Sequence, residues 1–196
     1  MRNREPVRKR LLDAVDQIVF VEGEVTAPVD KLIAHAGASP TSLYAQFGSK
    51  DGLIAAALER RLEEWLESWQ QAFDKAENDV ERLLSVFEGL RLYQREKLCE
   101  RWCAFSSVAS SHPRPSPAIS AMLERESDAL FDHLVEYAQP IAGEHADELA
   151  KAIMMIYNGV VTMSLRKPYE HAIDDGELVA RQMVHYWMAV EAPDLG

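Results

Sequence analysis

The chain has 196 residues, 47% hydrophobic and 27% charged, enough apolar material for a folded core and too little charge for global disorder. Its net charge of −11 opposes general attraction to phosphate, but residues 1–50 hold seven Lys or Arg against six Asp or Glu, a net of +1, and residues 51–196 hold 14 against 26, a net of −12. An acidic body of this kind confines any phosphate binding to a small local face.

The basic start, MRNREPVRKR, leads into Leu11 to Phe20, which Asp13, Asp16 and Gln17 interrupt. This is an amphipathic helix rather than a signal-peptide core, with Leu11, Leu12, Val15, Ile18 and Val19 on one face. Glu22-Gly23-Glu24 stops it. Pro28 suits the first position of a second helix, and Gly37 ends that helix with a left-handed cap. Ser39 as N-cap and Pro40 at the first helical position open a third helix. Ser49 repeats the capping role before Lys50 and Asp51, and a long amphipathic helix follows to about Asn78. Further helices are expected at about 79–97, 98–111, 117–139, 145–166 and 175–190. His112 to Pro117, with three alternating prolines, is a stiff linker. Pro140 and Gly143 end one helix and Pro168 the next. Asp174 and Glu177 read as a capping-box-like start for the last. No strand signal, internal repeat or bilayer-length apolar run is present. The expected fold class is all-α: an N-terminal three-helix helix-turn-helix domain over residues 1–53 and a helical regulatory, ligand-binding and dimerisation bundle over 54–196.

No catalytic constellation is found. The six histidines lack metal-ligand spacing, and there is no Gly-rich phosphate loop, His-Glu-x-x-His or serine elbow. No enzyme activity, cofactor or metal is therefore expected. Cys99 and Cys103, the two cysteines, make no disulfide framework and fit a reducing cytoplasm.

The chemistry that remains lies between Val29 and Leu53: a short helix, a tight turn, a second short helix ending in aromatics, and the start of a long one. That is the layout of a reader of the DNA major groove. Ser39, Pro40, Thr41 and Ser42 form the N-terminal turn of the recognition helix. Thr41 and Ser42 can exchange hydrogen bonds with bases, and Pro40 or the Thr41 methyl can touch a thymine methyl. Tyr44 and Gln46 lie further along, with the Tyr44 ring expected to pack inward and its hydroxyl to meet a phosphate. Leu43 and Phe47, four apart, should anchor the helix to its core. Lys50 and the helix N-terminus beside it can hold a phosphate, and Thr26 another on the far side.

With those residues in order, the chain resembles the TetR (tetracycline-repressor-like) regulators. The matching run is Gly23, Val29, Leu32, Ala36-Gly37, Ser39, Leu43-Tyr44, Phe47 and Ser49-Lys50-Asp51-Gly52-Leu53. It departs at Pro40-Thr41, at Leu32-Ile33, and at Ala27, which stands at the family's usual Ser/Thr cap. The resemblance implies a double-stranded operator as partner, a homodimer built through the last two long helices, and release from DNA by a small molecule. The apolar stretch Ala152 to Leu165 must be covered all round, and Val179, Met183, Tyr186, Trp187 and Val190 give the last helix a broad apolar face. Both features suit such a dimer. Phe87, Trp102, Phe105, Phe131, Met155 and Tyr157 are candidates for lining an apolar or aromatic effector pocket. The competing reading is an all-helical binding or scaffold protein whose helix-turn-helix no longer reads DNA.

Overall fold

The computed structural model describes residues 6–97 and 103–191. The chain divides into two compact units, Met1–Glu63 with Cys99–Glu126, and Glu64–Leu98 with Ser127–Gly196. The described residues are helical apart from turns and short connections, with no strand among them. No described helix is long and apolar enough to cross a membrane.

The first unit opens with α1 (Val7–Val15), which continues into a π-helical turn, Asp16–Val21. The wider winding accompanies burial of three consecutive side chains, Ile18, Val19 and Phe20. Next come α2 (Val29–Ala36), α3 (Pro40–Phe47) and the start of α4 (Lys50–Phe73). Helix α1 packs on both α2 and α3. Leu11, Val15, Leu32, Leu43, Leu53, Ile54 and Leu58 are fully buried in this unit. Each such side chain contributes about 1.5–3 kcal/mol by leaving water. The unit also holds α6 (Ala104–Ser111) and the beginning of α7 (Pro117–Ala142). The expected helix at 98–111 is seen from Ala104 onward, with Cys103 at its N-cap position. Cys99 lies outside the described residues.

The second unit contains the remainder of α4 and α7 with α5 (Asp79–Glu96), α8 (Ala146–Met163) and α9 (Tyr169–Glu191). Helix α9 packs on α5 and α8. Gly176 makes the α8–α9 approach possible, because a Cβ there would lie 2.0 Å from Cγ2 of Val160. An aromatic chain runs through this unit. Trp65 stacks on Trp69 at 5.7 Å and meets Tyr157 at 5.7 Å and Tyr93 at 6.1 Å, while Trp69 continues to His133 and Tyr137. The Trp69 indole N–H donates to Ser85 Oγ at 2.9 Å, so the buried donor is satisfied.

Four expected boundaries shift. Helix α4 ends at Phe73 rather than Asn78; Asn78 caps the following helix instead, its Oδ1 accepting from the Glu81 amide at 3.0 Å. Helix α7 runs past Pro140 to Ala142. Pro140 and Glu136, the residue whose carbonyl loses its helical donor, are both exposed. Pro168 is a start rather than a stop, since its carbonyl accepts from Ala172 N in the first turn of α9. Asp174 therefore lies inside α9 and caps nothing. Arg91 on α5 claims it, donating to Asp174 at 2.7 Å and to Glu177 at 2.8 Å. Burial alone would lower the Arg91 pKa, but these bonds raise it above its usual range.

Candidate nucleic-acid interface

The turn between α2 and α3 is built from backbone caps. Gly37 sits at φ 52°, ψ 42°, the left-handed conformation a side chain resists. Its N–H donates to Ala34 O and the Ala38 N–H to Ile33 O, both at 3.1 Å, which closes α2 as a Schellman motif. Ser39 then caps α3: its Oγ accepts from Ser42 N at 3.1 Å and shares a 2.9 Å hydrogen bond with Ser42 Oγ. Pro40 takes the first helical position. Ser49 caps α4 by accepting from Gly52 N at 2.9 Å. Gly52 is required by close approach, since a Cβ there would lie 2.1 Å from the Phe47 carbonyl oxygen.

These caps set how α3 is presented. Leu43 is wholly buried and Phe47 half-buried, which fits their expected anchoring role. Pro40, Thr41, Tyr44 and Gln46 are exposed together on the same short helix. Tyr44 corrects its expected inward packing: the side chain is 52% exposed, because Leu43 and Phe47 already occupy the inner face. Ser39 and Ser42 spend their hydroxyls on each other and on the cap, so in this chain they shape the turn. Lys50, half-buried, opens α4 immediately beyond. Thr26 is exposed in the turn before α2. It does not replace the missing Ser/Thr cap at Ala27: Pro28, expected at the first helical position, is instead the N-cap, with extended backbone and no side-chain cap hydrogen bond, and α2 starts at Val29.

Helix α1 supplies groups that the sequence reading overlooked. Arg10 donates through Nη1 to the Ala36 carbonyl and, at 2.9 Å, to that of Gly37. The Arg8 guanidinium lies 4.8 Å over the Phe47 ring. Lower on α1, Asp13 accepts from Arg60 at 2.8 Å, and Asp16 from the other Arg60 nitrogen. Arg61, fully buried, also pairs with Asp16 at 3.3 Å. Desolvation opposes the Arg60 charge, but Asp16 and Asp13 outweigh it and raise the pKa. The run Arg8-Lys9-Arg10 announces only a basic helix; which neighbours its side chains meet depends on how α1 crosses α2 and α3.

The effector candidates are scattered. Phe87 and Tyr157 are buried in the second unit, and Phe131 is half-buried there with Lys151 6.0 Å from its ring. Phe105 is buried in the first unit, and Trp102 lies outside the described residues. Met155 is 74% exposed, which removes it from any set lining an interior, because it points off a side of α8 that no neighbour among the described residues covers.

No family model and no curated protein matches the sequence. Solved structures do match. A TetR-family transcriptional regulator from Streptomyces coelicolor superposes with a TM-score of 0.82 over 93% of this chain and 96% of its own, at 20% identity. The chain has the fold of the TetR-family regulators. A TetR transcriptional regulator from Legionella pneumophila (TM-score 0.75, 15% identity, 92% and 98% of the two chains) is similar as well. So is one from Haloarcula marismortui (TM-score 0.72, 15% identity, 92% and 97%).

Proposed function

We propose that the chain is a transcriptional regulator that binds a near-palindromic operator as a homodimer and is released by a small apolar or aromatic effector. The observation that carries the reading is the division of α3 into a buried anchor, Leu43, and exposed polar side chains at Thr41, Tyr44 and Gln46, held between two capped helix starts. Thr41 and Gln46 read base edges; Tyr44 and Lys50 contact phosphate. Domain roles follow, with residues 1–53 reading DNA and 54–196 binding the effector and the second copy.

The dimer forms through α8 and α9. Supporting this, Met155, Met163, Leu178, Val179, Tyr186 and Met188 on these helices and Leu165 just past α8 are all exposed, an apolar surface unusual for a monomer. In a two-fold dimer the recognition helices should sit about one DNA turn apart, roughly 34–36 Å.

The test is a gel shift with the DNA upstream of the chain's own gene, at stated salt. Lys50→Ala should weaken binding to all sequences and flatten the salt slope by about one. Thr41→Ala should relax preference at one or two positions of each half-site, by about 1–3 kcal/mol. Equal loss on specific and random DNA for both variants would refute these roles. Absence of any wild-type preference would favour a helical scaffold protein, a reading that the weak basic charge of residues 1–50 supports.

A further inference from the structure

Three residues, Gly37 to Ser39, join α2 to α3. A connection this short leaves the direction of α3 governed by a few backbone dihedrals, so whatever holds those dihedrals sets how the exposed face is presented. The Schellman bonds use the carbonyls of Ile33 and Ala34. The carbonyls of Ala36 and Gly37 lie beyond that motif, at the negative end of α2.

We propose that Arg10 of α1 is the positioning residue of this turn: its guanidinium caps α2 from a neighbouring helix and so sets the orientation in which α3 meets DNA. The inference rests on the DNA-reading function proposed above. Its geometry is specific. One nitrogen, Nη1, donates to both the Ala36 and Gly37 carbonyls. A Cβ at Gly37 would stand 3.2 Å from that same nitrogen, so the glycine provides room for the arginine as well as the left-handed backbone. A cation is the favoured partner for a helix C-terminus, and arginine can hold several acceptors in a fixed plane. Helix α1 is itself tied to α4 through Asp13 and Asp16 to Arg60. Arg10 thus fixes the turn against a helix that has its own anchor.

The alternative role for a basic residue beside a DNA reader is direct phosphate contact. The two roles separate by salt dependence. A phosphate contact contributes to every sequence and adds to the salt slope. A cap that orients α3 acts through base contacts, which only the preferred sequence makes.

The experiment uses the full chain, the upstream duplex and a random-sequence duplex of equal length. Arg10→Met keeps the aliphatic stem and removes the donors. It should lower affinity for the upstream duplex about tenfold, leaving random-duplex affinity and the salt slope unchanged. Arg10→Lys, which retains a cation and donors, should recover part of that loss. Amide exchange gives a readout independent of DNA: Gly37 and Ala38 should exchange about tenfold faster in Arg10→Met, with the rest of α2 unaltered. Equal loss on both duplexes with a flatter slope would overturn the proposal in favour of phosphate contact. Unchanged exchange at Gly37 and Ala38 would overturn it outright. Should Arg10→Met fail to fold, Arg10→Lys decides: a selective two- to threefold loss on the upstream duplex supports the proposal, and an equal loss or none overturns it. If the wild type does not prefer the upstream duplex, the DNA-reading function falls, and the exchange measurement still tests the cap.

Discussion

The α2–α3 turn and the α8–α9 pair solve opposite problems. Around α3, the side chains that would do the work are polar and must face water, so few of them can hold the helix in place. Leu43 anchors its inner face, and caps and charges do the rest: Ser39 and Ser49 on helix starts, Arg10 on a helix end, and Asp13 and Asp16 on Arg60. In α8 and α9 the inner faces interlock, with Val160 4% exposed against Gly176, while the outer faces carry uncovered Met, Leu and Tyr side chains. On the proposed function, the surface for nucleic acid is arranged by directional bonds, whereas the one for a second protein copy is left apolar.

The largest test of that contrast is a charge placed on the inner side of α8. Val160→Glu should cost about 4 kcal/mol or more and unfold the second unit, since an unpaired carboxylate would replace a buried methyl contact. Loss of helical circular dichroism at room temperature would register it. A mild effect would mean the α8–α9 contact is loose.

In the first unit the corresponding strike is Asp16→Ala. It leaves Arg60 and the fully buried Arg61 without this carboxylate, and unfolding in urea should report a loss of about 3 kcal/mol. Asp13 retains one bond to Arg60, which limits the damage. A loss below 1 kcal/mol would show that the charges contribute little to holding α1 on α4.

Tyr186→Asp probes the outer face of α9, where the ring is 65% exposed. The chain should remain folded while the dimer dissociation constant rises about 30-fold, the equivalent of ~2 kcal/mol for an aromatic interface anchor. Sedimentation against concentration measures this. A wild-type chain that is already monomeric when dilute would refute the α8–α9 interface altogether.

The smallest effect is expected at a single cap. Ser39→Ala should reduce stability by about 1 kcal/mol, because Ser42 N loses its acceptor. Its effect on preference for the upstream duplex should exceed its effect on melting temperature if the turn governs the aim of α3. Parallel changes in both would make Ser39 a stabilising cap only.

Much of this architecture depends on short-range chemistry, and such features can be read directly from residue order. Ser39-Pro40, Ser49 and Gly37 announced two starts and a stop, because caps and left-handed glycines act within a few residues of themselves. Heptad-scale apolar spacing likewise disclosed an all-helical chain and the apolar faces of α8 and α9. Local rules misplaced the elements where a residue type has two uses. Pro168 could end one helix or begin another, Asn78 could extend one helix or cap the next, and Asp174 could cap a helix or pair with a distant arginine. Tertiary packing made those choices, since only it brings Arg91 to Asp174 and leaves Pro140 and Glu136 on an exposed side of α7. It also decided what Arg10 does. The residues it serves lie 26 and 27 positions away, and no periodicity along the chain carries the crossing of α1 over α2. Sequence alone determined which segments are helical and where polar chemistry concentrates; the tertiary structure determined which side chains hold α3 and which are left facing outward.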